Sequence, residues 1–324
     1  MTLSLASFTA PRRALGSGAL LLATSGWGAM FIVSPPVLRH VDPLWFTLIR
    51  YTLSALVFAV LLLLRGRSAW QPLRTHAPAL ALRGLAGFGV FSLFMLLGLA
   101  HSVPAHGAVI MATVPMNTQL LRWLLDGQRP SARAFGTALL ALAGVAMVSG
   151  LLLAPAGGDR AGTVLGDGLT LVGSLGWIVY TRGAARFAQL DVLSYTGLTA
   201  IASWPLLVLA TLGASALGWS HRPTPEGLLQ SAPALAYVGL VSSALCVLAF
   251  NQGVRLLGTV SATAFMNMVP VSALLMGMAL GHRPATHEWL GLAMVVGALL
   301  VHSAPARTAG YRRSIATTPC RVPS

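Results

Sequence analysis

The sequence contains no lysine, and only seven of its 324 residues are aspartate or glutamate. All 21 basic side chains are therefore arginine. A nucleic-acid binder gathers basic residues on one wetted face, whereas these arginines are scattered between apolar runs. The net charge of +14 thus does not indicate a nucleic-acid partner. None of the acids, Asp42, Asp126, Asp159, Asp167, Asp191, Glu226 and Glu288, falls at the centre of an apolar run. No intramembrane carboxylate relay is visible. The acids are also too dispersed for the interfacial constellation that a polytopic lipid-modifying enzyme needs. Cys246, in an apolar run, and Cys320, near the C-terminus, supply neither a disulfide framework nor a CxxC pair. His101 and His106 stand five apart, off one helical face and without a third ligand, and His302 adds none, so no metal site is expected. There is no Gly-x-x-x-x-Gly-Lys-Ser/Thr loop for a nucleotide, and no cofactor is expected.

What the chain does have is apolar surface. At 56 % hydrophobic and 9 % charged, with a mean hydropathy of +0.76, it cannot fold in water without large exposed patches. A hydrocarbon core of about 30 Å takes roughly 20 helical residues, and ten runs meet that need: 15–37, 43–64, 80–100, 104–125, 132–154, 164–181, 192–217, 231–253, 257–280 and 286–303. The sixth, shortened by Asp167 and Arg182, and the third, starting near Arg83, are the weakest, and nine spans is the alternative count. Arg12 and Arg13 ahead of the first run resemble a secretory signal. The run is too long for one, however, and it carries Trp27 and Pro35-Pro36, so it is expected to be retained.

Ten spans put both termini on one side. That side collects Arg12, Arg13, Arg65, Arg67, Arg74, Arg83, Arg122, Arg129, Arg133, Arg182, Arg186, Arg255, Arg307, Arg312, Arg313 and Arg321, against Arg39, Arg160, Arg222 and Arg283 on the other. By the positive-inside rule both termini are cytoplasmic. Arg50 is left inside the second span.

The chain also repeats itself. Val114-Pro115, Gly127-Gln128-Arg129-Pro130 and Gly136 recur as Val269-Pro270, Gly281-His282-Arg283-Pro284 and Gly291, while Gly26-Trp27 before Asp42 recurs as Gly176-Trp177 before Asp191. Each copy holds five spans, and an odd number inverts the second copy in the membrane. Inverted repeats place a substrate site near the midplane between the halves.

Trp27-Gly28 in the first helix, the proline-initiated fourth and ninth helices, and the Gly-x-Arg-Pro turns leading into the fifth and tenth resemble the paired EamA repeats of the drug/metabolite transporter superfamily over about residues 18–303. The resemblance implies an all-α integral membrane protein of ten transmembrane helices in two inverted five-helix EamA repeats, 15–154 and 164–303. These are flanked by a cytoplasmic tail, 1–14, and a disordered cytoplasmic tail, 304–324. It implies a non-enzymatic exporter of small metabolites, such as amino acids, or of toxic compounds, in a bacterial inner membrane. The implied partners are a small-molecule substrate and the lipid bilayer, with a homodimer left open. Where the family's turn carries Glu before Arg, this sequence has Gln128 and His282, which keeps a non-transporting sensor or scaffold as the alternative.

Polar groups in lipid-spanning helices are costly and should face a cavity or a partner. Arg50, roughly 10 Å inside its span, is a candidate counter-charge for a substrate carboxylate or phosphate; the competing role is a structural clamp. Asn117, after Pro115, and Asn267, before Pro270, form a repeat-related pair beside broken helices, with interhelical hydrogen bonding as the competing role. Trp27 and Trp177, related by the repeat, and Tyr180, one turn beyond Trp177, are the aromatic candidates. Trp45, Trp70 and Trp219 read as interface anchors, and Asn251 as a helix-end hydrogen-bonding residue or a substrate contact.

Overall fold

The computed structural model describes residues 5–102, 110–111, 113–148, 160–281 and 283–303, and the described residues are helical throughout apart from short connections. Expectations for the start of the fourth span, the end of the fifth, His106, His282, Cys320, residues 1–4 and the C-terminal tail lie outside them, whereas residues 5–14 of the expected N-terminal tail are helical. The helices are α1 (Leu5–Leu38), α2 (Pro43–Arg65), α3 (Arg67–Gly98), α4 (Val114–Asp126), α5 (Ala132–Val148), α6 (Arg160–Arg186), α7 (Val192–Ala216), α8 (Pro225–Leu257), α9 (Thr259–Ala279) and α10 (Thr286–Ser303). Seven are long and apolar enough to cross a membrane, and α5 and α10 contain shorter apolar helices. The chain is a multi-pass membrane protein.

Helix starts follow from the local sequence. Asp42 accepts from the Leu44 N–H at 2.9 Å to cap α2, and Asp191 accepts from the Leu193 and Ser194 N–H groups to cap α7. The two repeated aspartates thus do the same work, satisfying N–H groups that a helix start leaves without partners. The repeated turn glycines also correspond. Gly127 (φ 66°) and Gly281 (φ 99°) both adopt left-handed backbone, which costs a β-carbon-free residue little.

α3 begins well before the expected residue 80, because the segment carrying Arg67 and Arg74 is already helical ahead of the apolar stretch. α8 likewise extends beyond 231–253. Both contain a π-helical stretch, Leu85–Val90 in α3 and Tyr237–Leu245 in α8. Such widened turns concentrate at functional sites.

α1 packs along α8 and α6 along α3; α2 meets α8 and α7 meets α3; α2 lies on α7, and α5 on α10. Exchanging the first five helices for the second five leaves these pairings unchanged. Glycine sets the closest approaches. A β-carbon on Gly26 would lie 2.4 Å from Cys246 Sγ in α8, and one on Gly176 would lie 2.6 Å from the Ala86 carbonyl oxygen in α3. Each Gly-Trp pair therefore marks where one half's first helix presses on the other half's third.

Candidate functional site

The Gly-Trp contacts bring the two repeated tryptophans together. Trp27 and Trp177 meet edge to face, centroids 5.2 Å apart at 89°, and Phe250 of α8 packs against both at 5.2 and 5.3 Å. From Trp177 the rings continue through Tyr180 at 5.4 Å, Phe88 at 5.0 Å and Tyr51 at 5.0 Å, with the Arg50 guanidinium 4.8 Å from the Tyr51 centroid. Each aromatic pair adds about 0.5–1.5 kcal/mol beyond its burial. Trp27, Arg50, Trp177 and Tyr180 therefore belong to one buried assembly drawn from both halves.

The π-helical stretch of α8 supplies its polar side. Trp27 Nε1 donates to the Ser242 carbonyl at 2.9 Å, Arg50 Nε to Ser243 Oγ at 2.8 Å, and Ser54 Oγ to the Ser243 carbonyl at 3.2 Å. Consecutive serines in the widened turn thus receive side chains from α1 and α2. Arg50 is buried, and among the described residues its two terminal nitrogens have no hydrogen-bond partner. They are free to meet an anionic group in the bidentate geometry that guanidinium favours.

Asn251, which the sequence leaves open between helix-end hydrogen bonding and substrate contact, is a further member. Its Nδ2 donates to Tyr180 Oη at 2.7 Å and to Thr196 Oγ1 at 2.8 Å, while Tyr195 Oη donates to the Tyr180 carbonyl at 2.7 Å. α6, α7 and α8 are tied by these bonds. Among the described residues, Asn251 Oδ1 and Trp177 Nε1 are buried without partners, an acceptor and a donor left open in a low-dielectric interior where unmet polar groups are costly.

The paired asparagines are placed differently. Asn117 is half-buried and donates to Thr113 Oγ1 in the preceding turn at 2.9 Å. Asn267 is buried; its Nδ2 donates to the Ala264 carbonyl at 3.2 Å, and its Oδ1 has no partner among the described residues. Asn267 lines a cavity of about 10 Å³ with Gln119, Thr137 and His302, room for about one water. Among the described residues, no hydrogen bond joins either asparagine to the tryptophans.

At the arginine-rich end, Arg182 clamps Asp126 through both carboxylate oxygens at 2.8 and 2.9 Å, and Arg65 pairs with Asp191 at 2.7 Å. Partial burial pushes the Asp191 carboxyl up, but hydrogen bonds from Ser194 and the adjacent Arg65 outweigh that and hold it below the ordinary carboxylate value. Gln128, in the first of the two repeated turns, accepts a hydrogen bond from Arg122.

The model of the EamA-like transporter family matches residues 14–150 and again 164–304. The chain belongs to that family. Among its relatives, the uncharacterized transporter YrdR of Bacillus subtilis is 25 % identical over 92 % of this chain and 94 % of its own length. The uncharacterized inner membrane transporter YedA of Escherichia coli is 27 % identical over 88 % and 89 %. A protein of Streptantibioticus cattleyicolor named as a probable terminal-alkyne amino-acid exporter is 26 % identical over 94 % and 97 %. A crystal structure sharing 23 % identity superposes with a TM-score of 0.69 over 90 % of this chain and 96 % of that one, a likeness of fold. Within this EamA member, the Trp27–Trp177 contact lies between the two matched segments.

Proposed function

We propose that this EamA-family protein exports a small organic solute, an amino-acid-like metabolite or a toxic compound, across a bacterial inner membrane, by alternating access of two inverted five-helix repeats with both termini cytoplasmic. The observation that carries the reading is the edge-to-face meeting of Trp27 and Trp177, one from each repeat, inside the seam. A solute passing between the halves has to part those rings. The open polar groups beside them suit a zwitterion: the Arg50 guanidinium for a carboxylate, and Asn251 Oδ1 for an ammonium. Asn117, after Pro115, and Asn267, before Pro270, are proposed with Trp27, Arg50, Trp177 and Tyr180 as the substrate-contacting residues. The amino-acid class is supported by the name of one relative.

The test is flux into proteoliposomes holding the full chain, with labelled amino acids, nucleosides and organic cations offered singly. Saturable uptake of one class, abolished by Trp27→Ala/Trp177→Ala, is the expected result. Absence of flux across the whole panel from monodisperse protein overturns the proposal in favour of a non-transporting scaffold.

A further inference from the structure

Away from the seam, an open groove of about 960 Å³ runs down the outside of the bundle between α1 and α8. Its α1 wall consists of Leu15, Gly18, Ala19 and Leu22, and its α8 wall of Leu245, Leu248, Ala249 and Leu256; these spacings fall on one face of each helix. Leu15, Leu22 and Leu245 are 60 %, 53 % and 47 % exposed, so among the described residues nothing covers the walls. Gly18 sits with nothing within 4 Å of where its β-carbon would be, which leaves the floor open.

The mouth is cationic. Arg12 of α1, Arg65 of α2 and Arg255 of α8 all line it, against the single carboxylate of Asp191. That carboxylate is already engaged by Arg65, Ser194 and the α7 N–H groups. Arg255 spends one nitrogen on the Ala188 and Leu190 carbonyls, and Arg12 has no hydrogen-bond partner among the described residues. Spare guanidinium donors thus converge at one end of an apolar trough. From Arg255 back to Leu245, and from Arg12 to Leu22, is ten residues, about 15 Å of helix. That is half the hydrocarbon thickness, the depth of one leaflet.

We infer that this groove is a binding site for one anionic phospholipid, its phosphate held by Arg12, Arg65 and Arg255 and one acyl chain lying between α1 and α8. Basic pockets between membrane helices recognise anionic headgroups in this way. Charge complementarity selects the headgroup, and leaflet depth selects a lipid over a soluble anion. The inference is independent of any transported solute.

Native mass spectrometry of the full-length detergent-purified protein, titrated with dioleoyl-phosphatidylglycerol or dioleoyl-phosphatidylcholine, tests it with the acyl chains held constant. The wild type should bind the anionic lipid more tightly, by roughly fivefold for each contributing arginine. Arg12→Ala, which removes no hydrogen bond among the described residues, should cut the preference by about fivefold, whereas Arg255→Lys, which keeps the cation, should retain most of it. Gly18→Leu should weaken both lipids alike by filling the floor. Equal affinity for the two lipids in the wild type, or a preference unchanged in Arg12→Ala, overturns the site. Displacement by millimolar glycerol phosphate with no effect of Gly18→Leu would show a headgroup ion alone, and would overturn it equally.

Discussion

Gly26 of α1 and Cys246 of α8 are packed so closely that a β-carbon on the glycine would lie 2.4 Å from the thiol sulfur, with the next neighbour, Tyr237 Oη, at 3.9 Å. One sulfur atom is thus the whole obstacle to a larger residue at the crossing. Gly26→Ala should destabilise the protein by about 1–3 kcal/mol through overpacking, and Cys246→Ala should restore most of the loss. A double-mutant cycle on thermal unfolding in detergent measures the coupling; strictly additive effects would contradict the packing. Gly176→Ala confronts the Ala86 backbone oxygen instead, and no side-chain trimming should rescue it.

For Arg50, the expected signature is loss of flux at unchanged expression. Arg50→Ala removes a charge-assisted donor worth about 1.5–3 kcal/mol, which amounts to roughly tenfold or more in transport rate. Arg50→Lys keeps the charge but loses the planar fork, and should fall well below wild type. Wild-type flux from both variants would leave Arg50 a structural clamp between α2 and α8.

The Asn251–Tyr180 hydrogen bond gives a prediction about stability. Asn251→Leu removes the donor from buried Tyr180 Oη and should cost about 1–3 kcal/mol. Adding Tyr180→Phe removes the stranded hydroxyl and should recover part of that loss, since deleting both partners is cheaper than deleting one. Thermal melts of the two single variants and the double variant decide it; a double variant no better than Asn251→Leu would count against the pairing.

Asp191 makes the end of α7 sensitive to acid. Its carboxyl is held low in the folded protein, so the cap and the Arg65 pair stabilise fully above the ordinary carboxylate value of about 3.9. The stabilisation disappears as pH falls through the folded value. Asp191→Asn should be less stable than wild type by about 1 kcal/mol or less at neutral pH, with the gap closing as the pH falls from neutral through the carboxylate range. Unfolding scans of both proteins across that range provide the check, and a gap that widens in acid would have the wrong sign.

Helices whose ends carry their own signals were legible in the sequence. Asp42-Pro43 and Asp191 locate the starts of α2 and α7 to the residue, and the apolar runs locate most of the rest. The start of α3 was not legible, because arginines end an apolar run without ending a helix. The tryptophan pair could be reached through the repeat, which relates Trp27 to Trp177 before any contact is known. Asn251 could not: its partners lie 55 and 71 residues away, and nothing near it in the chain distinguishes a network member from a helix-end amide. The π-helical stretches were also invisible, since a widened turn leaves the apolar pattern of a long helix almost intact.

The exchange of first and third helices between the halves has a consequence for biosynthesis. α1 finds a principal neighbour in α8, and α6 in α3. At about 5–20 residues per second, the ribosome finishes α1 roughly ten to forty seconds before α8 begins. Through that interval Gly26 lacks the α8 surface it packs against, and that part of α1 must be held by lipid or by the insertion machinery. The first five helices made alone should be degraded, whereas the two halves made as separate chains in one cell should protect each other.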